Sequence, residues 1–169
     1  MSGPGRRRSS EPTLWLSACV LLLSAGCRRE ESAGPPDIVW GQDACARCDM
    51  IINEEGYAAG AAVRGADGRL RTVGFDDIGC LLDYAERSPD SIVVPYVKDR
   101  ATLEWCRADR AVYVQGAAIR TPMASGLVAF ASRQAAERVC REHNGRLLTY
   151  AELRAGRKPT SGPAIRGEP

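Results

Sequence analysis

Residues 55–87 read EGYAAGAAVRGADGRLRTVGFDDIGCLLDYAER, and the way they are punctuated decides the fold. Glu55–Arg64 alternates weakly and reads as a strand, Asp67-Gly68 supplies a hairpin turn, and Leu70–Phe75 is the returning strand. Asp76 is placed to cap a helix in which Ile78, Leu81, Leu82 and Ala85 follow helical spacing. Pro89-Asp90 ends that helix. Ile92–Val97 is then strand-like, and Pro95, which has no N–H to give to a ladder, favours an edge position for it. The order is strand, strand, helix, strand.

The same plan recurs downstream. Ala111–Gln115 and Gly126–Phe130 read as strands joined by a loop through Thr121-Pro122-Met123. Ser132 caps a helix running to Asn144, with Gly145 as its C-terminal stop. Leu147-Leu148 forms a short last strand before a small helix opened by the capping box Thr149-x-x-Glu152. Phe75-Asp76 and Phe130-Ala131-Ser132 stand at matching strand-to-helix corners. Two ββαβ units, 38–98 and 99–154, would each be marginal alone, so they are expected to share one compact α+β core.

The flanks have a different composition. Arg6, Arg7 and Arg8 precede the ten-residue apolar run Leu14–Leu23, then Ser24-Ala25-Gly26 and Cys27. A basic start, a short apolar run and a small-residue exit describe a secretory signal peptide over 1–26. The run is too short for the roughly 20 residues of a membrane-spanning helix. Cys after Ala-Gly resembles the bacterial lipoprotein cleavage motif, which makes Cys27 the lipidated first residue of a membrane-anchored, extracytoplasmic protein. Arg28 rather than Asp after it weakly favours an outer-membrane address. Residues 27–37 read as the lipidated Cys and a linker. Residues 155–169, rich in Pro and Gly, read as a disordered tail.

Charge and cysteine narrow the function. The chain has 23 Lys+Arg and 21 Asp+Glu, and without the signal peptide the two signs balance. This argues against a nucleic-acid binder, which would carry a clustered basic excess. Outside the cytoplasm disulfides are permitted. Five thiols remain after Cys19 and Cys27: Cys45, Cys48, Cys80, Cys106 and Cys140. An odd number leaves at least one thiol free or in use for chemistry. Cys80 and Cys140 fall on apolar helix faces and read as core, with a structural disulfide as the next choice; Cys106 could pair with either.

Cys45-Ala46-Arg47-Cys48-Asp49-Met50 is the sharpest chemical feature. A Cys-x-x-Cys pair closes on one metal ion or forms a reducible disulfide. Met50 adds a thioether, and thiolate plus thioether is a soft donor set that selects Cu(I). The other methionine of the mature chain, Met123, also lies in a loop. A closed zinc site needs four ligands, and no second short-spaced pair supplies them. Covalent haem needs His where Asp49 stands. A thiol redox motif would open a helix, whereas Ile51-Ile52-Asn53 leads towards a strand. The single His, His143, reads as a helix C-terminal residue favoured by the dipole. One His gives little equipment for acid–base catalysis, so a non-enzymatic role is expected.

Together Cys27, Cys45-x-x-Cys48-x-Met50, Phe75-Asp76-Asp77 and Thr121-Pro122-Met123-Ala124-Ser125-Gly126 before Leu127–Phe130 resemble the nitrous oxide reductase accessory lipoprotein (NosL) family over nearly all of residues 40–155. The resemblance implies a periplasm-facing, lipid-anchored pair of ββαβ units that binds Cu(I) and delivers it for assembly of the copper centre of nitrous oxide reductase or a related cuproenzyme. It implies Cys45, Cys48, Met50 and Met123 as ligands and a client cuproenzyme as partner; the tether through residues 28–37 would keep the carrier near the membrane, where a copper exporter could load it. Asp49 departs from the family's Gly, which restricts the loop backbone and brings a negative charge near the metal. A metal-free, disulfide-stabilised interaction module and a thiol redox protein are the competing readings.

Overall fold

In a computed structural model of the chain, residues 33–157 are described. The expected signal peptide, the expected lipidation at Cys27 and residues 158–169 of the expected tail lie outside them. No helix among the described residues is long and apolar enough to cross a membrane.

The elements follow the expected double plan. The first unit comprises β1 (Ala59–Arg64), β2 (Leu70–Phe75), α1 (Ile78–Arg87) and β3 (Ile92–Lys98), with β4 (Trp105–Arg107) added. The second comprises β5 (Val112–Gln115), β6 (Leu127–Phe130), α2 (Arg133–Glu142) and β7 (Arg146–Leu148), with α3 (Tyr150–Ala155) closing it. The antiparallel sheets run β2-β1-β3-β4 and β6-β5-β7. In both, the first strand of the unit lies between the second and third. This is an α+β fold of two small antiparallel sheets and few helices.

One core joins the halves. Phe75, Ile78, Leu81 and Leu82 pack in the same cluster as Tyr113, Leu127, Ala129 and Leu148. The second sheet shows clean period-two alternation. Tyr113, Leu127 and Ala129 face the shared core, while Val114, Val128 and Phe130 face Ala136 and Val139 on α2. Neither sheet could bury enough apolar area alone.

Several expectations need correcting. The segment read as a strand from Glu55 begins with a 3-10 turn, Glu55–Tyr57, and pairs only from Ala59. Its alternation is weak because both faces are covered: Ala59–Val63 are all buried. The covering chain on one side is the segment read as linker. Pro36 lies so close to Gly60 that a Cβ there would sit 2.4 Å from Pro36 Cδ. Ala33 accepts a hydrogen bond from Tyr96 Oη at 2.9 Å. At the other end, the tail expectation fails for its first residues: Ala155 belongs to α3, and Arg157 Nη1 donates to Gly79 O at 2.9 Å and pairs with Asp83.

The edge-strand expectation for β3 also changes. β3 lies between β1 and β4, but its ladder to β4 starts at Tyr96, one residue after Pro95. The proline therefore keeps an unpaired side locally, which is what its missing donor requires. At the end of α2 the left-handed residue is Asn144 (φ 47°), not Gly145. Gly145 N then bonds Cys140 O at 2.8 Å, a Schellman closure with Asn at the strained position.

Candidate metal site

The site is assembled at the corner where β2 turns into α1. Asp76 was expected to cap this helix, but the N-cap is Asp77, in extended backbone, whose Oδ1 accepts from Gly79 N at 2.5 Å. That shift by one residue frees Asp76. Its carboxylate, 2% exposed, receives the Cys48 thiol at 3.7 Å through Oδ1. Cys80, in the first turn of α1, has its Sγ 3.8 Å from Cys48 Sγ. The ligand atoms of Cys45, Cys48, Asp76 and Cys80 all lie within 4.8 Å of one another.

The Cys45–Met50 loop reaches this corner because it is folded as a small closed turn. Cys45 N bonds Met50 O at 2.8 Å, Asp49 N bonds Cys45 O at 3.0 Å, and Ala44 bridges Ile51. Ala46 N bonds Gly74 O at 2.9 Å, which pins the turn to the end of β2. Asp49 takes the left-handed conformation (φ 60°) that the family's Gly would adopt freely, so the loop geometry survives the substitution at a conformational cost. Arg47 reaches Asp83 of α1 at 3.9 Å, and Arg157 pairs with the same carboxylate.

The protons of the three thiols are unequally held. A hydrogen bond from the Cys80 thiol lowers Cys45 to about 7, against the opposing effect of its own burial. Cys80, which supplies that bond to the Cys45 sulfur, is raised far above the ordinary range. Burial raises Cys48 to about 11. A sulfur that ionises near neutral pH, next to two thiols and a carboxylate, is a donor set that releases protons as a cation binds.

The predicted ligands divide into two groups. Cys45 and Cys48 lie in the cluster. Met50 and Met123 are on the surface, 51% and 40% exposed. Both are tied to the corner through their backbones. Met50 O holds Cys45 N, and Met123 N donates to Asp77 Oδ2 at 3.1 Å, so one buried carboxylate caps α1 and anchors the β5–β6 loop.

Sequence reasoning missed Asp76 and Cys80. Cys80 was read as a core residue or disulfide partner; it is buried, but at the thiol cluster. The available signal was the four-residue spacing of Asp76 and Cys80 at a strand-to-helix corner. All five thiols of the described residues are unbridged. Cys106 donates to Val97 O at 3.6 Å and Cys140 to Gly145 O at 3.1 Å, and neither belongs to the cluster. His143 lines a separate cleft.

Paired ββαβ units that gather three thiols and a carboxylate at one corner define a class: a small α+β domain with a site able to hold a metal ion. The chain belongs to the NosL family, whose model matches residues 38–156. No curated protein matches it. Among solved structures it is similar to the copper chaperone NosL from Shewanella denitrificans, with a TM-score of 0.61 and 17% identity, covering 72% of this chain and 96% of that one. At that identity the likeness speaks for the fold.

Proposed function

We propose that this protein is an extracytoplasmic, lipid-anchored Cu(I) carrier that hands its ion to a client cuproenzyme, nitrous oxide reductase or a related enzyme, after loading from a membrane copper exporter. The observation that carries the reading is the cluster of Cys45, Cys48, Cys80 and Asp76 within 4.8 Å. Family membership and the likeness to a protein described as a copper chaperone support it.

The chemistry is ligand exchange, with no covalent step on a substrate. Thiolates are soft donors suited to Cu(I), and Met50 and Met123, exposed and tied to the corner through their backbones, carry weaker, neutral donors of the same kind. Cu(I) tolerates two or three ligands, so it can pass from thioether to thiolate without ever being bare. A client thiolate or thioether then attacks from the open side. Cys45, already near its deprotonated form at neutral pH, is the natural first thiolate, and Cys48 and Cys80 lose their protons as the metal enters. Three thiolates and a carboxylate also satisfy the ligand count of Zn²⁺. The two surface methionines favour Cu(I) over it.

Titration of the reduced protein with Cu(I) against a competing chelator tests the reading. One equivalent is expected to bind. Cys48→Ser is expected to weaken binding by at least tenfold, and Met50→Leu less strongly. Unchanged affinity in both variants, or retention of Zn²⁺ in preference to Cu(I), would overturn the assignment.

A further inference from the structure

A second concavity, unrelated to the thiol corner, lies on the α2 side of the second sheet. It encloses about 470 Å³, within the roughly 300–1,000 Å³ typical of small-molecule pockets. Its floor is apolar, built by Val128 and Phe130 of β6 and Val139 of α2. Its polar side chains are three arginines, His143 and Tyr57. Arg100 comes from the β3–β4 turn, Arg120 from the β5–β6 loop, Arg138 from α2 and His143 from the end of α2. No Asp or Glu lines it.

These guanidinium groups are not neutralised by the fold. None of the three pairs with a carboxylate among the described residues. The neighbouring acids are committed elsewhere. Asp99 gives its two oxygens to Ala101 N at 3.0 Å and Thr102 Oγ1 at 3.1 Å, and Glu137 pairs with Arg133 at 2.9 Å. Glu142, next to His143, is exposed and outside the cleft.

Arg100 is moreover held in position. Its backbone N–H bonds Ala129 O at 2.9 Å, and its guanidinium stacks over the Tyr57 ring at 5.0 Å. Gly56 leaves the room for this. A Cβ there would lie 2.9 Å from Arg100 Nη1. A planar donor fork fixed on an aromatic face is pre-organised to receive an oxyanion in bidentate fashion. Three arginines from separate segments converge on the cleft, in a protein whose total charges balance closely.

We infer that this cleft is a binding site for a small amphiphilic acid, an anionic head held by Arg100, Arg120 and Arg138 with a hydrocarbon body on the Val128–Phe130–Val139 floor. A bare inorganic anion would leave the floor wet, and a neutral apolar molecule would forgo the guanidinium groups. The site needs neither the thiols nor a bound metal.

The test uses the purified, reduced, metal-free protein, isotope-labelled for amide NMR, with octanoate, octanamide and acetate as probes. Octanoate is expected to shift amides in 118–120, 128–130 and 138–143 in a saturable way. Octanamide and acetate are each expected to bind at least tenfold more weakly. Arg138→Glu and Arg100→Glu are expected to cut octanoate affinity at least tenfold, while Arg133→Glu, outside the cleft, leaves it unchanged. Arg138→Gln, which removes one charge without adding another, is expected to give an intermediate loss. Equal binding of octanamide, equal binding of acetate, shifts that map elsewhere, or charge reversals without effect would each overturn the proposal. Failure of Cu(I) binding would leave this result untouched, since no metal is present.

Discussion

At Asp49 the backbone turns through φ 60°, and the Cys48-Asp49-Met50 loop keeps its closed shape although glycine is absent. Asp is among the few residues that enter this region at moderate cost, because its short polar side chain avoids the worst Cβ clash. Asp49→Gly should therefore raise stability, by roughly 0.5–1 kcal/mol once glycine's greater unfolded-state entropy is set against the relieved strain. Urea unfolding under reducing conditions measures it, and a loss of stability would show that the carboxylate contributes something the conformation does not. The identity of the cluster residues was half visible at this scale. Cys45 and Cys48 announce themselves by spacing. Asp76 and Cys80 do not, because a carboxylate before a helix looks like a cap and a cysteine on an apolar face looks like core.

Helix α1 shows how one element can organise a site. Its N-cap, Asp77, is fully buried and uses both oxygens, one on Gly79 N and one on Met123 N from the other half of the chain. Removing it as Asp77→Ala would cost a cap, about 0.5–2 kcal/mol, and leave the part-buried Met123 N–H without its partner, about 1–3 kcal/mol at most. A total near 2–4 kcal/mol is expected, together with faster amide exchange in the 121–126 loop. Exchange confined to α1 would mean that the Met123 contact carries no weight. The extended strands and both main helices were legible from periodicity and caps. The choice of Asp77 over Asp76 was not, since two adjacent Asp residues offer identical cap chemistry and only the folded backbone fixes which one points at the helix.

Across the whole molecule, folding holds protons on thiols that the unfolded chain would release. Cys48 and Cys106 are raised to about 11, each chiefly by burial, against an ordinary value of 9.0. The unfolded state thus deprotonates first, so these groups' contribution to stability is intact below pH 9 and is lost as pH rises from 9 towards 11. Stability measured by urea under reductant should fall across that window. Cys106→Ala, away from the cluster, should flatten the fall; an unchanged slope would remove Cys106 from the account. Cys45 acts oppositely. Its lowered value adds stability that is present above pH 9 and declines as pH falls towards 7.

The two ββαβ units, the capping box and the close Cys pair follow from the sequence by itself, because turns, caps and side-chain period are local properties read over a few residues. What only the tertiary structure decided depends on contacts between distant segments. Residues 33–37 became a cover for β1 because Gly60 admits Pro36. Cys80 and Asp76 joined the thiol pair because the Cys45–Met50 turn is pinned to Gly74 at the end of β2. Three arginines from separate segments came to line one cleft, with the turn at Arg100 bonded to β6. No periodicity encodes such meetings, since each is set by the packing of side chains that lie far apart along the chain.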